Sequence, residues 1–193
     1  MASAVILDLD GTLWDSRPFY AAAAARTAPA RRRAMTDLAA GASAAALLRG
    51  SGVDDAALRR RCTSKSRVAL YPDALVTIDA LRDAEMPLGI VTNLPDWIVA
   101  PMLAGHDLTE SFGSIVTWGR TKRRKPHPDP LLLCCDELDV AADAECWYIG
   151  DTDGDAQAAR SAGLSFAWAP WGYGETAPTG SMELTTFNDI AEL

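Results

Sequence analysis

Residues 4–12 read AVILDLDGT, and this stretch decides the fold. Its first part, residues 4–9, is a short run of branched and leucine side chains, which predicts a buried β-strand. The run closes on Asp10 and Gly11, a pair typical of the turn that follows a strand. Runs of the same character predict four further strands, over residues 88–92, 114–117, 146–149 and 165–168.

Helical patterns separate these predicted strands. They cover residues 74–84, 97–104, 130–138 and 155–162. In the first of them Leu75, Ile78 and Leu81 recur at three-residue steps, and Gly163 follows the last as a helix C-cap. Strands that alternate with helices of this length predict an α/β fold, a Rossmann-like parallel sheet with helices on both faces.

One region breaks the alternation. Residues 17–70 are rich in alanine, arginine and leucine, contain no predicted strand, and suggest helices over 20–26, 35–48 and 54–70. We therefore expect a small all-helical cap inserted after the first strand of an α/β core made of residues 1–16 and 71–193. Such an insertion emerges at the carboxyl edge of the sheet, where ligands bind in open α/β folds. The alternative is that it only adds packing to the sheet.

Composition excludes several classes of protein. The chain has 193 residues, with 26 acidic against 18 basic side chains and a net charge of −8, which argues against binding of a nucleic-acid polymer. No apolar run approaches the roughly 18 residues of a membrane span. The apolar start lacks a preceding basic region, so no signal peptide is expected. Four cysteines without a CxxC pair predict neither zinc nor a disulfide scaffold, which favours the cytoplasm.

Asp8 and Asp10 are the first candidates for chemistry. Both lie at the carboxyl end of the first predicted strand, where Gly11 allows the chain to turn and both side chains to face one cavity. Two carboxylates at such an edge are suited to a hard divalent cation, above all Mg²⁺. The structural alternative is that one of them caps a helix and the other is a solvated turn residue.

A second acidic cluster, Gly150-Asp-Thr-Asp-Gly-Asp155, follows the predicted strand over residues 146–149. Asp153 or Asp155 is explained well by capping and by the helix dipole. Asp151 is not, because a carboxylate at the end of a buried strand is costly to desolvate unless it meets a cation.

Two further polar positions fall after strands. Thr92 and Asn93 close the strand over residues 88–92 and offer a hydroxyl and loop N–H groups, which a phosphoryl group needs. Lys125, one of only three lysines, follows the basic stretch 120–124 and precedes a proline-rich segment. A chain with this negative charge must supply local cations to hold an anionic substrate.

Together these segments resemble the haloacid dehalogenase superfamily, of the phosphoglycolate-phosphatase-like kind with a helical cap. The four signature motifs of that superfamily match residues 8–12, 92–93, 125–128 and 150–155. Residues 15–18 and 71–73 match the usual entry to and exit from the cap, and residues 171–174 resemble a late loop of its phosphatases. The chain departs from the pattern in a short cap and in Trp14, which stands where a small aliphatic residue is common. We expect Trp14 and Trp171 to pack between cap and core rather than face the substrate.

The resemblance assigns a role to each acidic residue. Asp8 is the implied nucleophile and a magnesium ligand. Asp10 is the implied general acid and base, with its backbone carbonyl also on the metal. Asp151 is the second carboxylate ligand, and Asp155 supports the metal waters or Lys125. A carboxylate that attacks a phosphate dianion needs a nearby cation, which agrees with these roles.

For the substrate, the resemblance implies that Thr92, Asn93 and Lys125 hold the phosphoryl oxygens and that Lys125 also orients Asp8. The implied function is magnesium-dependent hydrolysis of a small phosphorylated metabolite through an aspartyl-phosphate. A sugar phosphomutase keeps the same four motifs and is the main alternative. A phosphonate-cleaving enzyme needs a cap lysine, for which Lys65 is the only candidate; a dehalogenase needs no acid at position 10. Non-catalytic regulatory relatives commonly lose a catalytic aspartate.

Overall fold

The computed structural model describes residues 2–19 and 68–193 of the chain. Within them a six-stranded sheet forms in the order β5-β4-β1-β6-β7-β8, and every pairing in it is parallel. Its strands are β1 (Ala4–Leu7), β4 (Leu88–Pro95), β5 (Ser114–Trp118), β6 (Cys146–Gly150), β7 (Ser165–Trp168) and β8 (Met182–Glu183). The five strands predicted from sequence are confirmed, and the short edge strand β8 was not predicted.

Four α-helices connect the described strands, and all four were predicted. They are α1 (Ala74–Asp83), α2 (Asp96–Gly105), α3 (Asp129–Glu137) and α4 (Asp153–Ala162). Short 3₁₀ helices over Thr109–Ser111 and Phe187–Glu192 complete the described fold. Gly163 ends α4 in the left-handed conformation with φ 84°, as its C-cap position predicts.

The central strand β1 is buried on both faces, which confirms the predicted layer architecture. Val5 and Leu7 belong to one apolar core, which also includes Ile78 of α1 and Ile98 of α2. Ala4 and Ile6 belong to a second core on the other face, which α3 and α4 cover through residues such as Leu131 and Ala159. The alternation follows from the two-residue side-chain period of a strand.

A two-stranded antiparallel ribbon stands beside the sheet. β2 (Trp14–Asp15) pairs with β3 (Ala69–Leu70), so that Trp14 is opposite Leu70 and Asp15 is opposite Ala69. The predicted helix over 54–70 is therefore wrong at its end, because Ala69 and Leu70 are extended to satisfy the backbone of β2. Most of the predicted cap lies outside the described residues, and the domain boundaries stay a prediction. Among residues 2–19 and 68–193, no helix is both long and apolar enough to cross a membrane.

Candidate active site

The strand order places the predicted site residues at one edge of the sheet. β1 lies between β4 and β6, and its last residue, Leu7, is opposite Ile90 of β4 and Ile149 of β6. Asp8 directly follows β1, Thr92 lies in the second half of β4, and Asp151 directly follows β6. Lys125 is on the segment between β5 and α3. The chain runs from β1 to β4 and β5 on one side and then crosses to β6 and β7 on the other side of β1. Open α/β folds bind ligands in the crevice at such a reversal of strand order, beyond the carboxyl ends of the strands.

Lys125 is the centre of a buried polar cluster. Its side chain is almost fully enclosed, with the residue 6% exposed. The Nζ atom lies 2.9 Å from Asp8 Oδ1 and 2.7 Å from Asp155 Oδ1. It also donates to the Tyr148 hydroxyl at 2.5 Å and to the Val91 carbonyl at 3.2 Å. Burial lowers the pKa of Lys125, but the charges of Asp155 and Asp8 outweigh this and keep it raised, so the ammonium persists at neutral pH.

Tyr148 is a member of this cluster that the sequence analysis missed. It lies on β6 and its hydroxyl is 3.1 Å from both Asp155 Oδ1 and the Val91 carbonyl. Burial, and then the nearby Asp155 and Asp8, hold the pKa of this hydroxyl well above its usual value, so it keeps its proton as a donor. The available signal was a tyrosine inside a buried strand, whose hydroxyl must find a partner.

Asp155 serves both the helix and the cluster. It is the third residue of α4, and Thr152 caps that helix by accepting from the Asp155 N–H at 3.3 Å. Asp155 Oδ2 in return accepts from the Thr152 N–H at 3.1 Å, while Oδ1 accepts from Lys125. Burial raises the pKa of Asp155, yet Lys125 and the Thr152 hydrogen bonds bring it below its ordinary value. The predicted capping role of Asp155 is therefore confirmed, and the same side chain also contacts Lys125; its role in catalysis stays a prediction.

Asp151 is fully buried, at 0% exposure, and only one of its oxygens is hydrogen-bonded. Oδ2 accepts from the Tyr173 backbone N–H at 2.7 Å, whereas Oδ1 has no partner. Burial, and then the charges of Asp155 and Asp8, raise the pKa of Asp151 to about 8. A buried carboxylate oxygen without a donor is an incomplete arrangement that a cation would complete.

The segment around Tyr173 packs its backbone directly against Asp151. A Cβ on Gly172 would lie 2.3 Å from Asp151 Cβ, and one on Gly174 would lie 2.0 Å from the Asp151 carbonyl oxygen. Both positions therefore require glycine for close approach. The same segment extends to the ribbon, where the Tyr173 hydroxyl accepts from the Ser16 N–H at 2.9 Å.

Asp8 and Asp10 differ in their partners. Asp8 is 8% exposed, and burial raises its pKa to about 6 against the opposing charge of Lys125. Asp10 Oδ1 accepts from the Trp14 indole N–H at 2.7 Å, while Oδ2 is buried without a partner. Burial raises the pKa of Asp10 to about 7, and the Trp14 hydrogen bond limits that rise. Asp8 thus faces the Lys125 ammonium, whereas Asp10 faces a neutral indole N–H.

Thr92 and Asn93 border the cluster from β4. The Thr92 hydroxyl accepts from the Leu94 N–H at 3.2 Å. Asn93 donates from Nδ2 to the Lys125 carbonyl at 3.1 Å, while its buried Oδ1 has no partner. Asn93 therefore joins β4 to the segment that carries Lys125, a contact that the predicted phosphoryl-binding role does not require.

Three carboxylates of the site are close enough to share a metal ion. One oxygen from each of Asp8, Asp151 and Asp155 lies within 4.8 Å of the others. Lys125 is the cation that faces Asp8 and Asp155, so the three acids carry more negative charge than this one lysine neutralises. An all-oxygen donor set with an unpartnered Asp151 oxygen fits a hard divalent cation. The Asp10 side chain is outside this set, and its predicted backbone contact with a metal stays a prediction.

Comparison with known proteins agrees with this arrangement. The sequence model of the haloacid dehalogenase-like hydrolase family matches residues 5–169. The chain belongs to this family. The match extends from β1 to the end of β7 and thus includes the strands that carry the site. The suspected superfamily membership is confirmed.

Relatives within the haloacid dehalogenase-like family include phosphoglycolate phosphatases. That of Escherichia coli K12 is 36% identical over 104 residues, which are 54% of this chain and 41% of that protein. That of Photorhabdus laumondii is 33% identical over 125 residues, covering 63% of this chain and 53% of that protein. The matched region thus spans about half the length of these relatives or less.

Solved structures of haloacid dehalogenase-like proteins share the fold along almost the whole chain. CbbY from Rhodobacter sphaeroides, solved in complex with phosphate, has a TM-score of 0.78 at 23% identity, covering 98% of this chain and 96% of that one. A hydrolase of the same superfamily from Geobacter sulfurreducens has a TM-score of 0.75 at 20% identity, covering 100% of this chain and 99% of that one. At these identities the likeness concerns the fold.

Proposed function

We propose that the protein is a magnesium-dependent phosphatase that hydrolyses a small phosphate monoester through an aspartyl-phosphate. The observation that carries this proposal is the pairing of Asp8 with Lys125 at 2.9 Å, beside an Asp151 oxygen that has no partner. In this proposal Asp8, the attacking carboxylate, would lie between the Lys125 ammonium and a bound second cation. That combination offsets the repulsion between a carboxylate and a phosphate dianion.

Asp8 is the carboxylate that we assign as nucleophile. Both oxygens of Asp155 are occupied, by Lys125 on one side and Thr152 on the other. Asp151 is fully buried and held by Tyr173. Of these three carboxylates Asp8 is the most exposed, and it stands at the end of the central strand against Lys125, which is why we assign the attack on phosphorus to it.

Asp8, Asp151 and the backbone carbonyl of Asp10 would hold Mg²⁺, with Asp155 supporting them. The bound ion supplies charge that neutralises phosphoryl oxygens and lowers the repulsion of the attacking carboxylate. The donor set itself is the reason for proposing magnesium, because carboxylate and carbonyl oxygens suit a hard cation.

Asp10 would move the protons. In the first step Asp8 forms a bond to phosphorus, the ester P–O bond breaks, and the leaving alkoxide takes the proton from Asp10. In the second step water attacks phosphorus and gives a proton back to Asp10. The bond to Asp8 then breaks, which releases phosphate and restores the carboxylate. A pKa of about 7 lets Asp10 act in both directions near neutral pH.

Thr92, Asn93 and Lys125 would receive the phosphoryl oxygens. Thr92 offers a hydroxyl, and Asn93 retains one Nδ2 hydrogen beyond the one it gives to the Lys125 carbonyl. The Lys125 ammonium is held in place by Asp155 and Tyr148, so it needs no rearrangement when substrate binds.

The relatives supply the substrate class of this proposal. The phosphoglycolate phosphatases that match at 33–36% identity make 2-phosphoglycolate the first ester to assay. Cytoplasmic localisation is part of the proposal. It is supported by Cys134, Cys135 and Cys146, which are free thiols in the described part of the chain, as in reducing compartments.

The decisive experiment measures inorganic phosphate released from 2-phosphoglycolate and other small esters, with magnesium and with a chelator. We expect turnover only with magnesium, and none in Asp8→Asn. Asp153→Asn is the matched control, because Asp153 is an exposed acid on the same segment as Asp151. Magnesium-independent turnover, or full activity in a folded Asp8→Asn protein, would contradict the proposal.

A further inference from the structure

The indole of Trp14 contacts a carboxyl group of the site. Trp14 is at 0% exposure and its Nε1–H donates to Asp10 Oδ1 at 2.7 Å. The other Asp10 oxygen, Oδ2, is buried and has no hydrogen-bond partner. The two oxygens of one carboxyl group are therefore not equivalent.

The backbone between these residues explains the contact. The Leu9 carbonyl accepts from the N–H groups of Leu13 at 2.9 Å and Trp14 at 3.1 Å, and Gly11 donates to the Trp14 carbonyl at 3.0 Å. Gly11 has φ 86°, a conformation that favours glycine. The chain thus returns on itself within residues 10–14, where the backbones of Asp10 and Trp14 form an isolated β-bridge and the indole N–H reaches the Asp10 carboxyl.

The partners of the hydrogen bond determine where a proton can be. An indole N–H is only a donor, so Asp10 Oδ1 must accept. When Asp10 is protonated, its hydrogen therefore belongs on Oδ2. The fully buried indole in turn needs this acceptor, because a buried N–H without a partner is destabilising.

We infer that Trp14 is a positioning residue, which fixes the Asp10 carboxyl so that Oδ2 is the oxygen that gives and takes protons. This inference rests on the proposed function, since it names the residue that orients the acid of that same site. Trp14 also belongs to β2, whose partner β3 is the end of the inserted segment, so the orientation of Asp10 is tied to the ribbon.

The test is the dependence of activity on the leaving group. An alkyl phosphate such as 2-phosphoglycolate needs a proton from Asp10, whereas 4-nitrophenolate leaves readily as an anion. In Trp14→Phe, we expect kcat/KM for the alkyl ester to fall about ten- to a hundredfold. This is less than the whole rate enhancement that a positioned acid provides, because Asp10 itself remains. For 4-nitrophenyl phosphate we expect kcat/KM to fall less than about threefold, because its leaving group needs no proton.

Trp171→Phe is the matched control. Its indole N–H donates to the Thr12 carbonyl at 3.0 Å, so the variant loses a similar hydrogen bond close by without touching Asp10. We expect Trp171→Phe to change both esters by the same factor. In an Asp10→Asn background, Trp14→Phe should cause no further loss on the alkyl ester, because it acts through Asp10.

Where Trp14→Phe does not fold, the benzothiophene isostere of the indole at position 14 keeps the bicyclic shape and removes only the N–H. Equal losses on both esters, or additive losses in the double variant, would overturn the inference alone. A wild-type protein that releases no phosphate from any ester would overturn the proposed function, and this inference with it.

Discussion

The Lys125 ammonium lies closer to Asp155, at 2.7 Å, than to Asp8, at 2.9 Å. The two carboxylates share this lysine but differ in their other partners. Asp155 is bound by Lys125 and by its own helix cap, and its pKa is lowered. Asp8 shares the same lysine but keeps a raised pKa of about 6, because burial dominates there. Asp155 therefore fixes the position of the Lys125 ammonium, and Lys125 in turn contacts Asp8.

The first prediction concerns the stability that depends on Lys125. Lys125→Met leaves two buried carboxylates without their cation, and removal of one partner of such a pair costs about 3–5 kcal/mol. We expect a loss of that size in the free energy of unfolding, measured by urea titration near neutral pH. Arg123→Met is the control, because Arg123 pairs with Asp129 on the exposed surface. Similar stability of the two variants would contradict the central role of Lys125.

The second prediction concerns the contact between Gly174 and Asp151. In Gly174→Ala the new Cβ would lie 2.0 Å from the Asp151 carbonyl oxygen, so the segment must shift and its hydrogen bond to Asp151 must weaken. We expect overpacking to cost about 1–3 kcal/mol in urea unfolding, together with loss of phosphate release.

Gly154→Ala is the matched control, since its Cβ would be 3.6 Å from Thr152 Oγ1, an ordinary contact inside α4. Alanine favours a helix over glycine, so this variant should be at least as stable as the wild type. If Gly174→Ala behaved in the same way, close packing against Asp151 would not be required for the site.

The sequence was sufficient for five of the six strands of the main sheet, for its helices and for the acidic residues at its edge, because these signals are local. Apolar runs mark the strands, and the cap of α4 is formed by Thr152 and Asp155, three residues apart. Parallel strand ends must meet at one edge, so Asp8 and Asp151 could be placed together before their distance was known.

Contacts made by buried polar side chains across the fold could not be predicted in the same way. Tyr173 reaches Asp151 across 22 positions of sequence, and Tyr148 meets Lys125 across 23. Trp14 is only four residues from Asp10, but their contact depends on the turn at Gly11. The expectation for Trp14 was packing between core and cap; its ring is buried, yet its N–H is bound to Asp10.

The third prediction concerns pH and magnesium. The pKa of Asp151 is raised from its ordinary 3.8 to about 8, so the metal-free folded protein holds this proton more tightly than the unfolded chain does. The resulting stability is present at acidic pH and is lost as the pH rises through about 8. Asp8 and Asp10 also have raised pKa values, so their contributions to stability are lost as the pH rises through about 6 and about 7 respectively. With a chelator, the melting temperature should therefore fall between roughly pH 5 and pH 8.

Magnesium should reverse this trend, because it replaces the protons. A ligand at 100 times its Kd stabilises the native state by about 2.7 kcal/mol, so the rise in melting temperature should be measurable at pH 8 and much smaller near pH 5. Asp151→Asn should abolish the magnesium effect, while the exposed Asp153→Asn retains it. An equal magnesium shift in Asp151→Asn would exclude Asp151 as a ligand.

The last prediction concerns the inserted segment. Asp15 is opposite Ala69 and Trp14 is opposite Leu70, so the chain leaves the core and returns to it at neighbouring positions. The ribbon already holds the two ends of this segment close together. Replacing residues 20–67 by a short glycine-rich linker therefore adds little entropic cost of loop closure. We expect the shortened protein to fold, as measured by cooperative thermal unfolding, because every strand of the main sheet lies outside the deletion.

The shortened protein should keep weak, magnesium-dependent hydrolysis of 4-nitrophenyl phosphate, since Asp8, Lys125 and Asp151 all remain. It should lose discrimination among natural esters, because we expect the inserted segment to enclose the part of the substrate beyond its phosphate. Asp8→Asn in the same shortened chain is the control that ties residual turnover to this site. If the shortened protein ranked a panel of esters as the parent does, specificity would belong to the core loops. Residues 171–174, which pack against Asp151, would then be the first segment to mutate.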